Sequence, residues 1–285
     1  MQREPVVAGM FYPANPERCR AEVARLLQAA QAGLPADGFV AGLVPHAGWA
    51  YSGGVAARTL AALAQGGAPD TMVILGAVHS WGVRRPAVYP SGSWTTPLGA
   101  LPIDEALVTE IVQQSGGAII ANERAHSEEH SIEVQLPFVK YLFPEVRIVP
   151  LMVPPVEDAV SVGEAVARAI RSQPGKTYVL GSSDLTHYGP RYGFAPRGTG
   201  PVALAWAKES DRRLLDVIVG MRAEDIVDQA QSERSACGGG AIAAIVAAAR
   251  ELGAKRGVVL EQTTSYDVQP EGRPSDFVGY AAVVF

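Results

Sequence analysis

The chain has 285 residues, 48% of them hydrophobic and 19% charged, and its 24 basic and 29 acidic side chains give a net charge of -5. A chain of this size is expected to bury about 75% of the surface that it exposes when unfolded, which excludes a disordered protein. The charges form no long run of one sign, so neither a nucleic-acid patch nor an acidic tail is indicated. A small-molecule or protein partner is expected instead.

The N-terminal segment and the cysteines bear on where the protein works. Residues 1–13 lack the apolar core of a signal peptide, and no stretch reaches the roughly 18 to 20 apolar residues that a membrane span needs. Cys19 and Cys237 offer no disulfide framework, which agrees with a reducing compartment. We therefore expect a cytoplasmic protein without a membrane span.

Apolar runs and helical patterns alternate along the chain, separated by 30 glycines and 21 prolines. A first helix is predicted from the cap Asn15 to a stop near Gly33, with Cys19 on its buried face as a small hydrophobic residue. In chain order we then predict a strand at 39–44, a helix at 54–63, a strand at 72–78, helices at 103–114 and 132–142, a strand at 146–153, a helix at 157–171, a strand at 177–181, helices at 202–219, 223–229 and 238–252, and strands at 258–266 and 277–284. This alternation predicts one α/β domain over residues 1–285, with a mainly parallel or mixed central sheet flanked by helices.

Three of the five histidines follow predicted strands. His46, His79 and His187 come at or just past the ends of three separate apolar runs. In open α/β sheets, ligands bind beyond the carboxyl ends of the strands, where segments distant in sequence meet. We therefore expect the three histidines to share one site that Tyr51 could line, and independent loop histidines are the alternative.

Two other side chains are candidates for chemistry. Asp184 precedes His187 by three residues, a spacing that on a helical turn puts both on one face, so Asp184 could orient His187 or bind a metal ion. It could also cap a turn. Cys237 precedes three glycines that open an Ala-rich helix, a position that favours the thiolate. Because a thiolate is both a metal ligand and a nucleophile, both roles stay open.

A second histidine pair lies in an acidic segment. His126 and His130 are four residues apart, which on a helix would allow a metal pair on one face. The neighbouring Glu128, Glu129 and Glu133 instead favour a solvated acidic helix start. In that interpretation His130 faces the pocket singly.

Five ordered motifs are shared with a known family. They are GMFYP at 9–13, PHAG at 45–48, EHSIE at 129–133, SSD at 182–184 followed by His187, and CGGG at 237–240. Over nearly the whole chain this pattern resembles the Memo family, whose bacterial and archaeal members are called AmmeMemoRadiSam system protein B. That family is similar in structure to the class III extradiol dioxygenases, whose iron site uses two histidines and one carboxylate.

The resemblance implies a metal site with an unusual ligand. The implied ligands are His46, His79 and Cys237, with the thiolate where the dioxygenases have a carboxylate. His187 matches the acid-base histidine, and Phe11 becomes a wall of the cleft. Fe(II) or copper is the implied metal, with zinc as a further candidate because thiolate favours Cu(I) and Zn. The family name also implies AMMECR1-like and radical-SAM partners in a modification pathway.

Three functions follow from these residues. In a metal-dependent, dioxygenase-like oxidoreductase, His187 would move a proton and Asp184 would orient it. In a binding protein, the same cleft would hold metal or a peptide without turnover. In a metal-free thiol hydrolase, Cys237 would attack and the N–H groups of Gly238 and Gly239 would stabilise the oxyanion. The hydrolase ranks last because its chemistry requires neither His46 nor His79.

Overall fold

Helices and strands alternate along the chain as the hydrophobic pattern predicts. A computed structural model describes residues 2–36, 38–80 and 82–285. The strands are β1 (Gln2–Arg3), β2 (Ala41–Val44), β3 (Thr71–Gly76), β4 (Ala87–Val88), β5 (Ser93–Thr96), β6 (Gly99–Pro102), β7 (Ile120–Ala121), β8 (Arg147–Met152), β9 (Thr177–Ser182), β10 (His187–Tyr188), β11 (Val258–Thr264) and β12 (Phe277–Val284). The α-helices are α1 (Pro16–Ala30), α2 (Trp49–Gln65), α3 (Glu105–Gln114), α4 (Leu136–Leu142), α5 (Ala159–Ser172), α6 (Pro201–Val219), α7 (Ala223–Glu233), α8 (Gly239–Glu251) and α9 (Ser265–Val268). Short 3-10 turns cover Glu123–His126, Glu133–Gln135 and Pro190–Tyr192.

The first helix begins where its cap predicts. Asn15 Oδ1 accepts a hydrogen bond from Arg18 N at 2.9 Å, and Cys19 is fully buried on the inner face. The predicted helix at 132–142 starts with a 3-10 turn instead, and the regular helix begins at Leu136 because Pro137 is tolerated only in a first turn. In the described part of the chain, no helix is long and apolar enough to cross a membrane.

The strands of the larger sheet run in the order β10-β12-β2-β9-β3-β8-β4-β7, and β11 also pairs with β12. The central strands β2, β9, β3 and β8 are parallel, whereas β12 runs antiparallel to β2 and β4 runs antiparallel to β8. β2 and β3 are buried along their whole length, which is why their sequences read as unbroken apolar runs. The predicted mixed sheet with a parallel centre is confirmed.

Three of these strands end level with one another. Val44 at the end of β2 and Gly76 at the end of β3 both pair in register with Ser182, the last residue of β9. The loops that follow therefore leave the sheet side by side at its carboxyl edge. The smaller sheet, β1-β5-β6, brings the N-terminal strand β1 alongside β5.

Helices α5 and α8 pack closely where α5 carries Gly163. A methyl group at this position would overlap the backbone carbonyl oxygen of Ala244. We expect Gly163→Ala to lower the free energy of unfolding by about 1–3 kcal/mol, the usual cost of overpacking a core. Urea denaturation checks this value.

The matched control is Gly54→Ala in α2, where a new methyl group meets nothing within 4 Å. Because alanine is the better helix former, this variant is expected to gain about 0.5–1 kcal/mol. Wild-type stability in Gly163→Ala would contradict the close helix crossing.

Candidate metal centre

Three histidine side chains meet beyond the ends of the central strands. His46 follows β2, His79 follows β3, and His130 comes from the irregular segment between two 3-10 turns. One ring nitrogen from each histidine lies within 4.8 Å of the other two, and among the described residues this group could hold a metal ion. The strand ends bring His46 and His79 together as expected, and His130 joins them in place of the expected His187.

The His46 ring is held by Ser182. Ser182 Oγ donates to the Ser131 carbonyl oxygen at 2.7 Å and lies 3.0 Å from His46 Nδ1. Because the serine proton is already used, Nδ1 of His46 must be the donor, which leaves Nε2 with its lone pair towards the cluster. Burial lowers the pKa of His46 below its ordinary value. Ser182 therefore sets the tautomer that a metal ion requires.

Glu129 holds the second histidine. Its carboxylate is 1% exposed, lies 3.0 Å from His79 Nδ1 and accepts from His79 N at 2.7 Å. The same carboxylate accepts from the backbone N–H groups of His130 (2.8 Å) and Ser131 (2.9 Å). Burial alone would raise the pKa of Glu129, but its contacts with His79 outweigh burial and hold the pKa well below its ordinary value. This is the carboxylate–histidine arrangement that supports metal-binding imidazoles.

The protonation of His79 and His130 differs. Partial burial alone would lower the pKa of His79, but its contacts with Cys237 and Glu129 outweigh burial and raise the pKa to about 10. His130 stacks on His79 with ring centres 4.8 Å apart, and burial followed by the His79 charge lowers its pKa to about 4. Phe11 packs edge-on against His130 at 5.0 Å. In the protein without metal, His79 is therefore the protonated member of the cluster.

Cys237 lies against the histidines. Its Sγ is 3.3 Å from His46 Nε2 and 3.6 Å from the Asp184 carbonyl oxygen. Burial alone would raise the pKa of the thiol, but the neighbouring imidazoles of His46 and His79 outweigh it and lower the pKa to about 6. The implied ligands His46, His79 and Cys237 are thus neighbours, but the group of described residues that could hold a metal ion consists of His46, His79 and His130, without Cys237.

The glycines after Cys237 serve packing. A side chain at Gly240, in the first turn of α8, would overlap the Pro154 carbonyl oxygen. The N–H of Gly238 already donates to Ser183 Oγ at 2.9 Å. One of the two oxyanion donors that a thiol hydrolase would need is therefore engaged within the protein.

His187 and Asp184 are positioned differently from the sequence interpretation. His187 Nδ1 lies 3.2 Å from the Leu185 carbonyl oxygen, which can only accept, so His187 donates through Nδ1 and keeps Nε2 free. The buried Asp184 carboxylate accepts from His46 N at 2.8 Å, and burial raises its pKa. The Leu185 carbonyl therefore orients the His187 ring, whereas Asp184 supports the backbone of His46. The i,i+3 argument fails because these residues follow a strand without forming a helical turn.

The acidic segment is largely buried. His126 lies away from the cluster, among buried aromatic rings, with Nε2 3.0 Å from the Ala87 carbonyl oxygen, so it forms no metal pair with His130. The predicted solvated helix start is wrong, because Glu129 and Glu133 are each 1% exposed. Their carboxylates bind N–H groups from other segments, which fixes an irregular path instead of a helix.

The cluster opens into a cleft of about 590 Å³, a size suited to a small-molecule ligand. His187 and Asp184 lie on its wall beside the histidine cluster. Phe11 and Tyr51 also line it, as the sequence suggested, and Tyr192 packs edge-on against His187 at 5.2 Å. Above the histidine floor, aromatic side chains share the lining with charged ones, among them Arg191, Arg273 and Asp276.

Two supporting residues were missed at the sequence level. Ser182 is the polar residue that ends the apolar run 179–181 of β9, a signal that could have pointed to the site. Glu129 directly precedes His130, yet its contact with His79 joins segments 50 residues apart and has no local signature.

Comparison with known proteins agrees with the motifs. The family model described as Memo-like protein matches residues 3–284. Proteins described as MEMO1 family proteins are 37% identical in Thermococcus onnurineus, 37% in Methanopyrus kandleri and 35% in Pyrococcus horikoshii. Each of these comparisons covers 100% of this chain and 99% of the relative. The chain therefore belongs to the Memo-like protein family.

Proposed function

We propose that the protein is a metal-dependent oxidoreductase of dioxygenase-like type that acts on a small molecule in the cleft. The observation that carries this proposal is the meeting of three histidine nitrogens within 4.8 Å at the floor of the cleft. The ring orientations fit a metal ion, because Ser182 and Glu129 engage Nδ1 of His46 and of His79 and leave each Nε2 as the outer atom, which in His79 must lose its proton before it binds the ion.

The donor set favours a transition metal. His46 and His79 would hold the ion, and Cys237 or His130 would complete the set. Imidazole suits iron, copper and zinc, and thiolate favours Cu(I) and zinc, so we propose Fe(II) or copper as the redox-active occupant, with zinc as the alternative. When bound, such a metal supplies Lewis acidity and, for iron or copper, electron transfer.

The protein's own residues supply proton transfer and enclosure. His187 presents Nε2 to the cleft while the Leu185 carbonyl holds its other nitrogen, so it can accept a proton from a substrate hydroxyl group. Phe11 and Tyr192 pack against His130 and His187 respectively, which restricts the orientation of these two rings. An aromatic diol fits a cleft of this size and lining.

Metal analysis tests this proposal. Wild-type protein purified without oxygen or chelator is expected to hold close to one equivalent of iron or copper by inductively coupled plasma mass spectrometry. His46→Ala is expected to lose at least about 90% of it, since loss of a ligand typically costs more than the 10–100-fold of a supporting residue. Comparing Cys237→Ser with His130→Ala identifies which side chain completes the ligand set.

The matched control is Cys19→Ala, which removes the other thiol of the chain, buried in α1. This variant should keep its metal. If wild type held no metal even after reconstitution with Fe(II), Cu(I) and Zn(II), the metalloenzyme proposal would fail. If metal were bound but no aromatic diol or related compound were converted in a broad screen, the cleft would be a binding site instead.

The compartment and the partners are further proposals. Cys19 and Cys237 are both free, and the low pKa of Cys237 makes it prone to oxidation, so we propose a reducing, cytoplasmic setting. AMMECR1-like and radical-SAM proteins are the partners that the family name suggests. Co-purification of either protein with this chain would support that suggestion.

A further inference from the structure

Arg3 is buried near the candidate metal centre with all its guanidinium nitrogens engaged. Nε donates to the His126 carbonyl oxygen at 2.8 Å, Nη2 to the Glu129 carbonyl oxygen at 2.6 Å, and Nη1 to the Glu133 carboxylate at 2.9 Å. The guanidinium carbon also lies 4.0 Å from the ring centre of Trp94. Arg3 is 7% exposed, so these contacts are made away from solvent.

Glu133 binds the rest of the N-terminal segment, residues 6–12. Its carboxylate accepts from the backbone N–H groups of Val6 and Val7 and from the Tyr12 hydroxyl group, each at 2.9 Å. The ion pair with Arg3 is buried on both sides, with 6% and 1% of the side chains exposed. The N-terminal segment is therefore fixed to the segment that carries Glu129 and His130.

The contacts of Arg3 lead directly to the histidine cluster. The two carbonyl groups that it binds belong to His126 and Glu129, the ends of one turn. The turn's own hydrogen bond, from Glu129 N to the His126 carbonyl oxygen, is long at 3.4 Å, so the turn depends on Arg3 for its shape. The side chain of Glu129 in turn holds His79 and the backbone N–H of His130.

We propose that Arg3 is a positioning residue for the metal centre. Its planar fork fixes the turn from His126 to Glu129, so that Glu129 keeps His79 and His130 where a metal ion can reach both. A lysine carries the same charge but lacks the fork that serves three separate acceptors, so it cannot replace Arg3 in this role. This inference rests on the proposed function, because it requires that the histidine cluster binds a metal ion.

The test uses Co(II), whose visible absorption reports the geometry and ligands of its site. The full chain is titrated with Co(II) under anaerobic conditions as wild type, Arg3→Lys and Arg3→Met. Both variants are expected to bind Co(II) about 10–100-fold more weakly, the effect typical of lost support for metal ligands, and to show shifted absorption bands.

Arg147→Met is the control for the loss of an ion pair. Arg147 Nε pairs with Asp104 Oδ2 at 3.2 Å at the start of β8, the end of the strand away from the cleft. This variant should bind Co(II) as wild type does. If Arg3→Met fails to fold, Arg3→Lys still gives the answer, because it keeps a positive charge beside Glu133.

The outcomes separate the two proposals. Wild-type affinity and wild-type bands in Arg3→Lys, even with a lowered melting temperature, would overturn the positioning role and leave the metal site intact. A wild-type protein that binds no Co(II) would overturn both the metal site and the role of Arg3. Weaker binding with shifted bands in Arg3→Lys and unchanged binding in Arg147→Met would support the inference.

Discussion

Replacing Glu129 with alanine is expected to lower metal affinity by at least about 100-fold, at the upper end of the effect of lost supporting groups. It is also expected to lower the free energy of unfolding by about 3 kcal/mol or more. The carboxylate accepts from the backbone N–H groups of His79, His130 and Ser131, and each buried donor left without a partner costs about 1–3 kcal/mol. Metal titration and urea denaturation measure the two effects.

Glu129→Gln separates charge from shape. Its amide oxygen can replace Oε1, which meets His79 Nδ1 and two backbone N–H groups, but its amide nitrogen would face the N–H of His79. We expect a smaller loss of stability and a 10–100-fold loss of metal affinity. Glu128→Ala, an exposed neighbour, is the control and should change neither. Wild-type metal binding in Glu129→Gln would contradict the supporting role.

The contact between Glu129 and His79 also makes the stability of the metal-free protein depend on pH. The pKa of Glu129 is lowered on folding, so its contribution to stability is present above its ordinary value of 4.5 and is lost as the pH falls below it. The pKa of His79 is raised, so its contribution is present below 6.5 and is lost as the pH rises towards about 10. In Glu129→Gln both dependences should weaken.

The meeting of His46 and His79 could be predicted from the sequence, because both residues follow predicted strands. His46 and His79 follow parallel strands whose last residues lie in register with Ser182, so the general geometry of α/β sheets brings them together. No periodicity in the chain carries the equivalent information for His130. Its place depends on an irregular segment that is fixed by Arg3, 126 residues away from Glu129 in sequence.

The roles of Asp184 and His187 show a second limit of sequence reasoning. A spacing of three residues brings side chains together only on a helix. Here residues 183–186 connect β9 to β10, which begins at His187. Within this connection, the Asp184 carbonyl oxygen accepts a hydrogen bond from the backbone N–H of Cys237. Backbone hydrogen bonds to distant segments therefore decide which way each side chain turns, and those partners are not visible in the local sequence.

Replacing His187 with alanine is expected to lower turnover by about 10²–10⁴-fold while the metal stays bound, because general acid-base groups contribute on that scale. His187 lies on the cleft wall with Nδ1 committed to the Leu185 carbonyl oxygen, so proton transfer falls to Nε2. Oxygen consumption with an aromatic diol gives the rate, and metal analysis of the same sample gives the occupancy.

His187→Asn shows whether the loss comes from proton transfer or from a displaced loop. An asparagine amide can donate to the Leu185 carbonyl oxygen in place of Nδ1, yet it offers no base to the substrate. If proton transfer is the role of His187, the asparagine variant should be as slow as the alanine variant. If asparagine restored the rate, the hydrogen bond to Leu185 would be what matters, and the proton would have to leave through another group on the cleft wall. Asp184 would then be the first candidate, because burial raises its pKa and it lies on the same wall.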